Sequence, residues 1–318
     1  MSYMDSYTTK IRELSTSLLK DEKVDFVIGF KQGTIPMATS PHIARTPEQA
    51  QQFIWDNNCG INLTNYLTNR KEKIGIIAKG CDCRNIVTHI IENKINREQL
   101  HIIGIPCQGM IDKTRVAALF EEEIISYSET DETITVKTLL NEKNINKNEF
   151  LKSNCMMCTH RNPVIYDELA ADLVEEQVIE DPFSDVRKIE EMSADEKWNH
   201  FEDLLKNCIR CYACKNACPL CYCPTCFVDE SGPQWVGKGQ DATDVRTFHY
   251  LRAYHCAGRC TDCGACVEAC PMDINVRDFT RKLNKDSFEM FGWEAGLDIS
   301  KRPPLDVYSP DDPDDFIK

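Results

Sequence analysis

A four-cysteine run spaced C-x2-C-x2-C-x3-C-P occurs twice near the carboxyl end of this chain. The first copy is Cys208, Cys211, Cys214 and Cys218 before Pro219; the second is Cys260, Cys263, Cys266 and Cys270 before Pro271. No other feature restricts the fold as strongly. Three thiols at two-residue intervals come from one tight loop, and the fourth is placed to leave for a neighbouring site. Runs of this kind supply thiolates to 4Fe–4S cubes, the fourth cysteine serving the other cube of a pair. The spacing therefore predicts Cys208, Cys211, Cys214 and Cys270 around one cube, and Cys260, Cys263, Cys266 and Cys218 around a second. Zinc sites seldom take three cysteines at this interval and have no use for the proline. Disulfides across C-x2-C loops close too tightly to make good staples.

Composition sets the surroundings. The chain has 318 residues, 18 of them cysteine, and a formal net charge of −14. In a short secreted chain that cysteine content would indicate a disulfide scaffold; here the cysteines are bunched at metal-ligand spacings. The acidic balance argues against nucleic acid or an anionic membrane surface as the main partner. The opening segment Met1–Lys20 is polar and reads as a helix, and no run reaches the 18 or so apolar residues of a membrane span. The expectation is a soluble, cytoplasmic protein in a reducing compartment, from an anaerobe or facultative organism.

The first half alternates strand and helix: strands at Val24–Phe30, Ile74–Ala78 and Leu100–Ile105, helices at Thr46–Trp55, Arg84–Asn93 and Met110–Glu122. Thr46 is the expected cap and Pro47 opens the first turn. This pattern predicts an α/β domain over residues 1–166, a mostly parallel sheet with flanking helices, and an edge strand at Thr133–Leu139. Residues 167–197 turn acidic, with Pro182 in their midst, and read as a linker with helical pieces. A mainly helical, ferredoxin-like dicluster domain is expected over 198–285. Roughly forty residues separate its cysteine runs, more room than a compact β-type ferredoxin needs, and Asp241–Tyr254 within that gap reads as helix. Residues 286–318 form an acidic tail, extended or docked over Asp306–Asp315.

Two of the strands run into cysteines, Cys81 after Lys79-Gly80 and Cys107 after Pro106. In open parallel sheets ligands gather beyond the carboxyl ends of strands. With Cys155 and Cys158 these give four thiolates for a third 4Fe–4S cube; the alternative is that Cys81 and Cys107 are small buried residues at strand ends. Cys59 could replace one ligand, and Asp82 and His101 could tune or protonate the site. Of the remaining thiols, Cys221, Cys223 and Cys226 with Cys256 either hold a further metal or, like Cys83, pack. His255 is read as structural, and Trp198, Trp235 and Trp293 are read as packing the ferredoxin module and its junctions.

Lys79-Gly80-Cys81-Asp82, Ile105-Pro106-Cys107-Gln108-Gly109, and Cys155 and Cys158 with Pro163 and Asp167 resemble the beta-subunit family of coenzyme F-420 hydrogenases and dehydrogenases, over roughly Val24–Asp167. Cys208–Asp229 resembles the version found beside heterodisulfide-reductase-like proteins, and the carboxyl-terminal module resembles the helical ferredoxins of heterodisulfide reductase and succinate dehydrogenase. The resemblance implies a small α/β domain, often with FAD, and iron–sulfur clusters linking that flavin to a larger catalytic subunit. The best-known members reduce the deazaflavin coenzyme F-420 at the flavin. This chain departs in carrying its ferredoxin motifs as a pair after the α/β domain, and it lacks a G-x-G-x-x-G turn.

FAD phosphates need backbone N–H groups and positive charge. The candidates are Lys31, Gln32, Gly33 and Thr34 after the first strand, Lys79 and Gly80 after the second, and Lys113 and Arg115 on the helix after Cys107. Each alone has a plainer reading, Gly33 as a turn and the two cations as a solvated helix face. No P-loop, Ser-His-Asp order or H-E-x-x-H supports hydrolase or phosphoryl-transfer chemistry. The expected role is an iron–sulfur electron-transfer subunit relaying electrons between a flavin or partner centre and a larger subunit: a formate dehydrogenase, a hydrogenase or a heterodisulfide-reductase-like flavoprotein. A self-contained FAD-dependent reductase of a soluble acceptor such as coenzyme F-420 is the alternative, and a redox-inactive zinc scaffold is a third.

Overall fold

The computed structural model describes residues 3–306. They fall into two compact units: residues up to Cys83 with Lys94–Ile179, and Arg84–Asn93 with the chain from Glu180 onward.

The first unit opens with helix α1 (Tyr3–Lys20), which buries Met4, Tyr7, Ile11 and Leu18 at helical spacing. Strands β1 (Phe26–Gln32) and β2 (Thr39–Ala44), helix α2 (Pro47–Ala50), strand β3 (Ile74–Lys79), helix α3 (Gly80–Ile91) and strand β4 (Leu100–Ile105) follow. Next come helix α4 (Lys113–Ala117), strands β5 (Ser126–Glu129), β6 (Thr133–Lys137) and β7 (Glu142–Asn146), helix α5 (Ser153–Met156) and strand β8 (Glu168–Leu169). The main sheet has the order β2-β1-β3-β4-β8. Its pairs are parallel except β1 with β2, so the expected mostly parallel α/β sheet is present. β3 is buried along its whole length, which is why Ile74–Lys79 reads as an unbroken apolar run up to its final lysine.

Several elements differ from the sequence expectation. The helix expected to reach Trp55 ends at Ala50. Thr46 accepts from Gln49 N and Pro47 opens the turn, as expected, but the chain then extends, with Ile54 N donating to Phe30 O at 2.9 Å and Phe53 bridging Lys31. That pairing buries Phe53 completely, a larger gain than another helical turn offers. The helix expected over Met110–Glu122 is only α4, capped by Asp112. Ile111 is held extended by Leu151, and Glu121, Glu122 and Glu123 would crowd a helix carboxyl end whose dipole disfavours anions. α3 starts at Gly80, a turn before the expected Arg84. The strand expected at an edge, Thr133–Leu139, is β6, the middle of a separate antiparallel sheet β5-β6-β7. Within the acidic stretch read as a linker, Asp167 accepts from Ile102 N and Glu168–Leu169 add β8 to the main sheet beside β4.

The second unit is helical: α6 (Ser184–Glu190), α7 (Ala194–Leu205), α8 (Ala213–Asn216), α9 (Ala242–His255), α10 (Ala265–Glu268) and α11 (Arg277–Phe291). Ser193 and Glu196 form a capping box on α7, and Asp241 caps α9 as the sequence suggests. α11 runs past the expected domain end and stops at Gly292 in a left-handed conformation. Leu205, Cys214, Val228, Val236, Val245, Phe248, Ile274 and Val276 form the core. Among the described residues no helix is long and apolar enough to cross a membrane. The Asp306–Asp315 tail, beyond Asp306, lies outside the described residues.

Candidate metal centres

The two cysteine runs fold into matching loops. Two positions after the first cysteine of each run the backbone is left-handed, at Arg210 (φ 50°) and Asp262 (φ 55°). One position after the second cysteine it is left-handed again, at Tyr212 (φ 59°) and Gly264 (φ 73°). Each loop then enters a four-residue helix, α8 or α10, and these two helices touch. Three of the four left-handed residues carry side chains, a conformation costing roughly 1–3 kcal/mol each and kept only where surroundings enforce it. The surroundings here are arginine clamps. Arg210 donates to Gly237 O and Gly239 O, both at 2.6 Å, and Arg277 grips Asp262 through both carboxylate oxygens at 2.6 and 2.7 Å.

The thiols group across the runs. Cys208 lies within electrostatic reach of Cys270 and Cys211, and Cys214 of Cys266, Cys208 and Cys270. Cys260, Cys263 and Cys266 each lie within electrostatic reach of Cys218. Burial pushes Cys214 and Cys260 up to about 12, so the metal-free thiols stay protonated; a bound metal would displace those protons. Among the described residues no three His, Cys, Asp or Glu side chains converge closely enough to chelate one ion. A tetrahedral zinc with 2.3 Å bonds needs its sulfurs about 4 Å apart.

Buried donors without partners support an iron–sulfur fit. α9 turns Val245, Phe248, His249, Arg252 and Ala253 inward. His249 Nε2 is 3.3 Å from Cys208 Sγ, while its Nδ1 has no partner. Burial, aided by Arg252 and Arg210, pushes His249 down to about 4, so it is neutral at pH 7. Arg252 is 4% exposed and donates through Nη2 to Cys214 O at 3.0 Å, with its Nε unpartnered. Such donors are costly to bury unless they face negative charge, which thiolate-bound iron supplies.

In the first unit, β3 leads into Cys81 and β4 into Cys107. Lys79 lies within electrostatic reach of Cys81 and Cys107, and Cys107 of Cys155 and Cys158. Burial pushes Cys107 up to about 12. Backbone N–H groups already point at two of these sulfurs: Gly109 N to Cys107 Sγ at 3.4 Å and Met110 N to Cys155 Sγ at 3.3 Å. Lys79 is buried, donating to Asp82 Oδ2 and Ile61 O, both at 2.9 Å. Asp82 is thus the partner of Lys79, and its other oxygen accepts from Leu63 N. His101 pairs with Glu168 at 2.9 Å. Cys59 and Cys83 are fully buried and donate to Asp56 Oδ1 and Ala78 O, a packing role.

Of the expected flavin residues, Gln32, Gly33 and Thr34 line one open cleft of about 570 Å³ with Asp5, Trp55, Asp56 and Glu129, but Lys31, Lys79, Gly80, Lys113 and Arg115 do not line it. Gly33 closes the β1–β2 turn, its N–H donating to Ala38 O. Gly80 lies against the backbone of residues 160–162, where a Cβ would come 2.5 Å from His160 O. Arg115 lies over the Phe150 ring and reaches Leu151 O, and Lys113 is exposed.

Sequence reasoning missed the arginines and His249 altogether. For His249 and Arg252 the only signal is helical spacing on α9, where they fall on one face; Arg210 and Arg277 carry none. Cys221 and Cys256 lie within hydrogen-bonding reach of Cys218, whereas Cys223 is exposed. Trp235 and Trp198 are mostly exposed, contrary to the packing role expected of them; Arg246 stacks on Trp198 at 4.7 Å. Trp293 packs as expected, donating to Gly258 O at 2.7 Å. His255 meets the Phe227 ring edge-on, consistent with a structural role.

No protein-family profile matches the chain. The F420-dependent formate dehydrogenase subunit beta of Methanocaldococcus jannaschii is 24% identical over 353 residues, covering 91% of each chain. The F420-dependent formate dehydrogenase 1 subunit beta of Methanococcus maripaludis is 26% identical over 110 residues, 35% of this chain and 27% of the relative. Among solved structures, a chain of the F420-reducing NiFe hydrogenase complex from Methanosarcina barkeri matches 50% of this chain and 64% of its own, at 14% identity and a TM-score of 0.39.

Proposed function

Because the chain belongs to the beta-subunit family of coenzyme F-420 hydrogenases and dehydrogenases, we propose that it is an iron–sulfur electron-transfer subunit of an oxidoreductase complex. Its partner on this reading is a larger catalytic subunit, a formate dehydrogenase by analogy with the relatives' names, or else a hydrogenase or a heterodisulfide-reductase-like flavoprotein. Cys208, Cys211, Cys214 and Cys270 would hold one 4Fe–4S cube, Cys260, Cys263, Cys266 and Cys218 a second, and Cys81, Cys107, Cys155 and Cys158 a third. Each cube, when bound, takes up or gives back one electron at a time. The chain's own groups prepare the sites. Arg210 and Arg277 hold the loops curled, the N–H groups of Gly109 and Met110 favour thiolate sulfur, and buried Arg252 balances negative charge.

The observation that supports this reading is electrostatic: Cys270 is within reach of Cys208 and Cys214, and Cys218 within reach of Cys260, Cys263 and Cys266, as an exchange of fourth cysteines would require. Disulfide staples or a pair of zinc loops give no reason for that exchange. Anaerobic iron and acid-labile sulfide analysis tests it. Three cubes give about twelve irons per chain, and fewer than about eight would rule out the paired core. FAD is tested in the same preparation. The cleft holding Gly33 and Thr34 is lined by Asp5, Asp56 and Glu129, an unfavourable wall for a diphosphate. Release of FAD on extraction, with turnover of a soluble acceptor, would favour the self-contained reductase instead.

A further inference from the structure

Arg252 on α9 lies within electrostatic reach of thiols assigned to both carboxyl-terminal sets. It sits in the last turn of the helix, 4% exposed. Its Nη2 donates to the carbonyl of Cys214, a cysteine of the first set, at 3.0 Å. Cys218 and Cys266, assigned to the second set, lie within its electrostatic reach, as do Cys256 and the Cys214 thiol. Its Nε has no acceptor. Among the described residues no carboxylate pairs with it. The other buried arginines of this unit contrast with it: Arg277 holds Asp262, Arg281 holds Asp185, and Arg210 has Asp244 at 3.9 Å. A guanidinium is never deprotonated in a protein and is costly to bury without a counter-charge. The helix carboxyl end favours a cation there, and negative charge on the cysteine sulfurs within its reach would supply the rest.

We propose that Arg252 is a positioning residue that sets the reduction potentials of both carboxyl-terminal iron–sulfur centres together. The inference rests on the function proposed above and adds an assignment to it. A fixed positive charge stabilises the state with one more electron, so it makes each centre easier to reduce. Because the same guanidinium faces both sets, it keeps their potentials in step. Removing the charge would therefore shift both midpoints in the same direction and leave the difference between them little changed. His249 acts differently: it is neutral and meets only Cys208, so its influence is confined to the first set.

The test is an EPR-monitored redox titration of the anaerobically purified full chain, wild type against Arg252→Gln, Arg252→Met and Arg252→Lys, with iron counted in each. With both centres loaded, the neutral variants are expected to shift both midpoints negative by at least tenfold in the reduction equilibrium, 59 mV for one electron. Arg252→Lys, which keeps the charge, should stay within threefold of wild type. Arg246→Gln removes a charge beside exposed Trp198 on the same helix and should move neither. The proposal is overturned if the loaded neutral variants leave either midpoint in place, or if the lysine variant shifts as far as they do. Loss of iron from both neutral variants with retention in Arg252→Lys also overturns it, in favour of a purely structural counter-charge. A wild-type chain with no reducible EPR signal fails the underlying function itself, a result distinct from any of these.

Discussion

At the scale of single residues, the centre in the first unit depends on Gly80 as much as on its cysteines. Gly80 opens α3 next to Cys81, and a Cβ there would stand 2.5 Å from His160 O and 3.0 Å from Asn162 O. Both neighbours are backbone and cannot swing away. The 160–162 segment also accepts from Cys107 N, through Arg161 O, and from the Cys158 thiol, through His160 O. Gly80→Ala should therefore displace two cysteines of that set. The expected loss is about four irons per chain by anaerobic analysis, with both carboxyl-terminal EPR signals retained; an unchanged iron count would contradict the assignment of this set. The cysteines were legible because their chemistry is written in spacing. Lys79 was not: in sequence it is a free cation after a strand, suited to a phosphate, and only the fold commits it to Asp82. Arg252, Arg277 and His249 were illegible for the same reason, since nothing local separates a buried arginine on a helix from a solvated one.

At the scale of elements, short or strongly patterned strands were read nearly to the residue, β4 among them, whereas α2 and α4 were overread. Amphipathic spacing persists beyond Ala50 and Ala117, but pairing of Phe53 with Lys31 and of Ile111 with Leu151 ends both helices early. The acidic stretch read as a linker with helical pieces contains α6, and part of its charge is paired with specific arginines. Asp185 on α6 receives both arms of Arg281 on α11, at 3.0 and 2.9 Å. Partial burial alone would raise the Asp185 carboxyl; Arg281, with Arg277 behind it, outweighs burial and holds it below the usual aspartate range. A carboxyl depressed on folding stabilises the fold above its unfolded value of about 3.9, and that contribution disappears as pH falls through the depressed folded value. Asp185→Asn should thus cost about 1 kcal/mol at pH 7, a modest figure because the carboxylate is partly exposed to screening water. The gap from wild type should close progressively below about pH 4. Anaerobic urea unfolding followed by far-UV circular dichroism at pH 7 and pH 4 measures it, and a gap that widens on acidification would contradict the pairing.

For the molecule as a whole, the two units are stabilised by different means, and metal removal should separate them. The first unit has an apolar core built without metal ligands: Phe26, Ile28, Phe30, Ile74, Ile76, Ile102 and Ile103 are fully buried on the main sheet. Each such side chain contributes roughly 1.5–3 kcal/mol by burial. The second unit has a thinner core, in which Cys214 is a member and Cys208, Cys226, Cys266 and Cys270 are packed against it. Its cysteine loops rest on helices of four residues, far below the length at which a helix stands alone in water. They also hold strained left-handed residues that need outside support. Iron–thiolate bonds at both loops would supply that support, as metal binding does wherever it is coupled to folding. Stripping the iron anaerobically with chelator and ferricyanide should therefore raise amide hydrogen exchange steeply over residues 208–276, while β1, β3 and β4 keep their protection. Thermal unfolding of the stripped chain should show two transitions, the earlier one absent from the loaded protein. Equal deprotection of β3 and of the cysteine loops would mean that the chain unfolds as one cooperative body, and that metal at the carboxyl-terminal loops is not what holds the second unit together.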